Sequence, residues 1–160
     1  MASLEERIRR IEDRTEILEL KYAYCRAADL LDADGMCDTF IDDCVVELVP
    51  GLILRGRAEF REMLTTYFPH SVSSQHHITN EAVVFESADE AILHTYMYSW
   101  QRFKTHPAAA DCHRWGRYED RAVRKAGGWR FTHLRLISAG EYGAPRIAEQ
   151  FGRPFPAIFE

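Results

Sequence analysis

Four long runs in the second half of the chain, about residues 73–86, 90–104, 112–125 and 129–142, constrain the fold more than any other feature. Each is longer than a typical strand and carries the β-branched and aromatic residues that suit a pleated surface. They are separated by Ser87-Ala88-Asp89, by a loop from Pro107 to Asp111, and by the Gly127-Gly128 hairpin signal. Consecutive runs so closely joined pair antiparallel, which predicts a meander of consecutive hairpins. Strands of this length twist and bend, and a bent sheet with one apolar face needs a cover.

The first half of the chain supplies that cover. Leu4, Ile8, Ile11, Thr15, Leu18, Tyr22, Cys25 and Asp29 follow at steps of four and three, which predicts one stripe of a long helix, with a carboxylate continuing an apolar face. A short second helix is expected over Gly35 to Ile41, then a strand over Cys44 to Val49 that turns at Pro50-Gly51 into Leu52 to Leu54. Gly56 breaks that strand, Ala58 to Tyr67 has helical spacing, and Pro69 ends it. The fold class is therefore α+β: N-terminal helices packed on a curved, mostly antiparallel sheet, closing a cone-shaped α+β barrel around a pocket. Residues 1–142 read as a single domain and 143–160 as a C-terminal extension, in which Phe151, Phe155 and Phe159 stand among prolines and would serve as a lid or an interface tail.

With 160 residues, 46% of them hydrophobic, such a domain can bury about two-thirds of its unfolded surface. A net charge of −5 with no basic block excludes a nucleic-acid partner, whose phosphates demand a positive stripe. No stretch has signal-peptide character, and no apolar run reaches the roughly 18 residues that span a bilayer, so a cytoplasmic protein with no membrane partner is expected. Cys25, Cys37, Cys44 and Cys112 form no C-x-x-C pair and read as reduced thiols of the core.

The stretch "SQHHITN", residues 74 to 80, places His76 and His77 side by side at the start of the first long strand. Successive side chains on a strand point to opposite faces, so one imidazole looks into the enclosed space and the other away. The two are not placed to chelate one ion together.

"KYAYCRAADLLDADGM" from Lys21, "LRGRAEFREML" from Leu54, "SQHHITN" from Ser74 and "GRYEDRAVRKAGGWRF" from Gly116 occur in that order over most of the chain. Together they resemble the SnoaL-like group of the nuclear transport factor 2-like (cystatin-like) superfamily, which includes polyketide cyclases, scytalone dehydratase, bile acid dehydratase and hexachlorocyclohexane dehydrochlorinase. The resemblance implies an Asp at the end of the first helix facing a His at the start of the long strand. Asp29 matches that Asp, His76 rather than His77 matches that His, and Tyr24 matches a pocket tyrosine of the bile acid dehydratase. Other family features are missing. The two substrate-polarising tyrosines of scytalone dehydratase fall at Ala28 and Leu48, and the acidic and arginine residues of the bile acid dehydratase fall near Ser99 and Ser138.

The chemistry of such a pair follows from its parts. A carboxylate on an apolar stripe is costly unless it is paired, and His76 is the candidate partner. Bonded to one ring nitrogen, Asp29 would fix the tautomer and leave the other nitrogen to take a proton. The expected activity is a lyase or isomerase of the dehydratase or cyclase type, acting on a small cyclic or aromatic metabolite. With His76 setting the inward phase and the resemblance setting the register between strands, Leu93, Thr95, Met97 and Ser99 are expected to face inward on the second long strand, and Cys112, Arg114, Gly116 and Tyr118 on the third. Met97, Ser99, Arg114 and Tyr118 are thus the expected contacts to an apolar or aromatic ligand, Tyr118 for a carbonyl and Arg114 for an anion or oxyanion.

Tyr96, Tyr98, Trp100, His113 and Trp115 occupy the opposite face and are expected to form a homodimer interface. His70, His94, His106 and His133 show no metal-ligand spacing, and neither a P-loop nor a G-x-G-x-x-G occurs, so no metal and no cofactor are expected. The alternative reading is a non-catalytic ligand-binding or scaffold protein, like the small subunit of ring-hydroxylating dioxygenases.

Overall fold

A computed structural model describes residues 3–49, 51–104 and 111–143. Pro50, His106 and the expected tail over 144–160 lie outside the described residues. The chain runs α1 (Leu4–Asp29), α2 (Ala33–Cys37), β1 (Phe40–Val49), β2 (Leu52–Arg55), α3 (Gly56–Tyr67), a 3₁₀ turn (Phe68–His70), β3 (Ser71–Phe85), β4 (Glu90–Phe103), β5 (Cys112–Lys125) and β6 (Gly128–Tyr142). The four long runs are β3 to β6, with boundaries within two residues of those read from the sequence. The second helix starts and ends earlier than expected, because Asp32 caps it by accepting a hydrogen bond from Gly35 N–H at 2.9 Å, and Ile41 already belongs to β1.

The sheet has the order β2-β1-β6-β5-β4-β3. Its neighbours are antiparallel except β1 and β6, which run parallel with Val46 opposite Leu134. The sheet is curved and does not close on itself; α1 and α3 cover its concave side. Curvature is built in at bulges, one of them at Ala139 of β6, opposite the step from Trp115 to Gly116 on β5. Only glycine fits at position 116, since a Cβ there would collide with the Ile137 carbonyl oxygen of β6.

Alternation gives the two faces. On β4, Ala91, Leu93, Thr95, Met97 and Ser99 are buried, while His94, Tyr96 and Tyr98 point outward. On β5 the inward set is Cys112, Arg114, Gly116, Tyr118, Asp120 and Ala122. Between sheet and helices, Phe40, Phe60, Phe131, Trp129 and Leu134 form the centre of the core, with Phe40 edge-on to both Tyr24 and Phe60. All four cysteines are free and buried, and burial pushes the Cys25 thiol up to about 11, which keeps it protonated at neutral pH.

The helix face is a correction. Leu4, Ile8 and Ile11 are exposed, and the residues that α1 buries are Asp13, Ile17, Lys21, Tyr24, Cys25, Ala27 and Ala28. Polar partners on the sheet set this rotation, overriding the apolar periodicity. Lys21 Nζ lies 2.7 Å from Asp120 Oδ2 with both side chains fully buried. The same ammonium sits 3.4 Å from the centre of the Tyr118 ring and 4.6 Å from that of Tyr24. Asp13 accepts a hydrogen bond from Trp129 Nε1 at 3.2 Å and pairs with Arg124. Burial raises the Asp120 carboxyl above its ordinary range, and the neighbouring Lys21 partly offsets this. No helix is long and apolar enough to cross a membrane among the described residues.

Removing one member of a buried ion pair strands the other. Lys21→Met is expected to destabilise the fold by about 3–5 kcal/mol, while Lys21→Met combined with Asp120→Leu recovers most of the loss, as measured by urea unfolding.

Candidate active site

α1 stops at Asp29, and the chain turns away through Leu30 and Leu31, the latter at a φ of 57°. A carboxylate here sits at the negative end of the helix dipole, which disfavours it by about 0.3–1 kcal/mol. Its stabilisation comes from β3. Asp29 Oδ1 lies 2.7 Å from His76 Nδ1, and Asp29 Oδ2 accepts the His76 backbone N–H at 3.0 Å. One carboxylate thus holds both the ring and the main chain of the same residue. An ionised carboxylate only accepts, so Nδ1 carries the hydrogen and Nε2 is the basic nitrogen of the neutral ring. The His76 side chain is 9% exposed. His77 is exposed on the outer face, its ring centre 6.0 Å from that of Tyr98.

His76 borders a cavity between the sheet and the helices. Met97, Ser99, Arg114 and Tyr118 line it with His76, as the alternation predicts, Tyr24 joins them from α1, and Asp29 is outside the lining. The strand register places His76, Ser99 and Arg114 in one row across β3, β4 and β5. Tyr24 and Tyr118 meet edge to face, with ring centres 6.3 Å apart. Neither hydroxyl has a hydrogen-bond partner among the described residues, and both side chains line the cavity. Burial pushes both phenols well above their ordinary value, so they stay neutral and remain donors.

Arg114 is buried too. Its Nε and Nη2 both donate to Glu141 Oε2, at 3.2 and 3.0 Å. Beyond it, Tyr67 O–H donates to Gln101 Oε1 at 3.1 Å, and Ser71 and Ser74 complete a polar end that the sequence reading missed. Gln101 and Ser74 were within reach, because each lies two residues from an expected inward position. Glu141 was not, since the bulge at Ala139 shifts the register that brings it opposite Arg114. Ser138 does not line the cavity. No group of three or more His, Cys, Asp or Glu side chains gathers in metal-holding geometry among the described residues.

A fixed imidazole, two neutral phenols and a largely apolar wall can remove a proton from carbon and stabilise the oxyanion that results. Comparisons with known proteins agree with the architecture. A family model described as a SnoaL-like domain matches residues 9–135. No curated protein matches the chain. Among solved structures, a protein of Novosphingobium aromaticivorans provisionally described as an aromatic ring hydroxylase is 30% identical, with a TM-score of 0.78 over 84% of this chain and 94% of that one. A second protein of that organism, provisionally described as a scytalone dehydratase, is 20% identical, with a TM-score of 0.81 over 86% of this chain and 91% of that one. The hexachlorocyclohexane dehydrochlorinase of Novosphingobium barchaimii is 17% identical, with a TM-score of 0.75 over 94% of this chain and 99% of that one.

The buried phenols make stability depend on alkaline pH. Their folded values lie above the unfolded value of about 10, so the stability they contribute is complete below pH ~10 and is lost as pH rises from there towards the folded values. Urea midpoints are expected to fall steeply above pH ~10, and less steeply in Tyr24→Phe.

Proposed function

The chain belongs to the SnoaL-like domain family, and from that membership and the doubly held histidine we propose a cofactor-independent lyase or isomerase that uses an Asp-His general base. The observation that carries the proposal is the two-point hold of Asp29 on His76, at 2.7 and 3.0 Å, beside an apolar cavity. His76 Nε2 takes a proton from a carbon next to a carbonyl of a small cyclic or aromatic substrate. The C–H electron pair moves towards the carbonyl oxygen, which becomes an enolate. Tyr24 and Tyr118 donate to that oxygen. Expulsion of a leaving group from the adjacent carbon completes an elimination; return of the proton to a different carbon completes an isomerisation. Asp29 does not touch substrate: it orients the ring and stabilises the imidazolium.

Met97 and Ser99 line the cavity beside the base and donors, and Arg114 ends the row that runs from His76 through Ser99. The solved structures described as a scytalone dehydratase and a hexachlorocyclohexane dehydrochlorinase share this fold. A second reading is a non-catalytic small-ligand-binding or scaffold protein, such as a companion subunit of a ring-hydroxylating oxygenase. Co-purification with a larger oxygenase subunit would support it.

The exposed aromatic strip of the sheet, with Tyr96, Tyr98 and Trp115 at 51%, 39% and 44% exposure, is proposed as the homodimer face. Sedimentation is expected to give twice the chain mass, and Trp115→Glu to give the monomer.

Deuterium exchange into ring ketones, followed by NMR, tests the base. His76→Ala is expected to slow exchange by about 10² to 10⁴, and Asp29→Asn to slow it less. Equal rates in wild type and His76→Ala would remove His76 from the mechanism.

A further inference from the structure

Resting on that reading, we infer that the cavity selects uncharged substrates and that Glu141 enforces the selection by occupying Arg114. Arg114, which lines the cavity, lies 3.0 Å from Glu141, and Lys21, packed in the core against the Tyr24 and Tyr118 rings, lies 2.7 Å from Asp120; all four side chains are 10% exposed or less. His76 must be neutral to act as a base, which leaves the Asp29 charge without a countercharge in the resting site. The balance is therefore negative before any ligand enters.

Arg114 is the one permanently charged side chain in the described lining. A guanidinium grips a carboxylate best through two parallel N–H groups on one edge. On Arg114 the Nε and Nη2 edge is the one turned to Glu141. An incoming carboxylate or phosphate would lose its hydration and find that edge taken. The rest of the wall is apolar apart from neutral hydroxyl and amide groups, Tyr24 and Tyr118 among them. A neutral ring ketone meets none of these penalties.

Proton removal then leaves the net charge of the site unchanged, because a neutral imidazole and a neutral ketone become an imidazolium and an enolate. An anionic substrate would place a second negative charge beside the new enolate. The ligand class that fits is a neutral, ring-sized carbon acid carrying a carbonyl.

Isothermal titration with β-tetralone and β-naphthoate, a neutral and an anionic bicycle of similar size, reads this directly. Wild type is expected to bind the ketone at least about ten-fold more tightly than the carboxylate. Glu141→Gln keeps the shape but frees the charge of Arg114; it is expected to raise carboxylate affinity about ten-fold and leave ketone affinity within about three-fold. Arg114→Met combined with Glu141→Met, which removes both charges, should retain the preference for the ketone. If Glu141→Gln does not fold, the wild-type ratio and the double variant decide.

Equal or tighter carboxylate binding by wild type overturns the inference, as does an unchanged ratio in folded Glu141→Gln, or failure of both probes to bind. These are equilibrium binding measurements. Loss of the base chemistry, seen as equal exchange in wild type and His76→Ala, would leave them unmoved, so the two readings fail separately.

Discussion

The Lys21–Asp120 pair fixes where the first helix lies, and the site depends on that placement. Burying two opposite charges costs several kcal/mol per ion before their attraction is counted, so an apolar pair of similar volume would serve stability as well or better. What the ion pair supplies is a defined orientation. Asp13, Lys21 and Asp29 are spaced eight residues apart, about 12 Å along the axis with a turn of about 80° between successive anchors. Their partners move across the sheet in the same sense, from Arg124 and Trp129 on β5 and β6, to Asp120 on β5, to His76 on β3. The helix is thereby held diagonally over the strands, and its last residue arrives where the imidazole is.

The same anchors explain what the sequence revealed and what it concealed. Strand alternation has a period of two, so once the family resemblance sets the register, the inward phase of His76 extends to Met97, Ser99, Arg114 and Tyr118 on the neighbouring strands. Helix rotation has no such rule when the contact face is charged. Leu4, Ile8 and Ile11 make a convincing apolar stripe, yet they are exposed, and the true face contains Asp13 and Lys21. Asp120 was legible as the next inward position after Tyr118, and Lys21 as the residue one turn before Tyr24. Joining the two required knowing which strand passes under the helix. Glu141 depended on a bulge at Ala139 of β6, which strand alternation alone does not announce.

Asp29 and Asp120 show how burial divides similar groups between roles. Asp120 is sealed in the core, and its charge is answered by an ammonium. Asp29 is 26% exposed at the rim, and its two oxygens divide between a ring nitrogen and a backbone amide. The first arrangement is static. In the second, the carboxylate fixes the orientation of an imidazole whose other nitrogen it leaves unengaged. The phenols follow the same logic, since desolvation that would be a defect for an ionised group keeps these neutral and donating.

The parallel register of β1 with β6, in which Phe40 faces Phe131, imposes an order of assembly. Every other pairing in the sheet joins neighbours in sequence and can zip from a local turn. β1 must wait for the strand made nearly last, holding its apolar face and that of β2 unpartnered while the C-terminal half is synthesised. Nascent chains shorter than about Phe131 would therefore present an unfinished edge, a natural target for chaperone capture, and the closing of the cavity would coincide with the final cooperative step of folding.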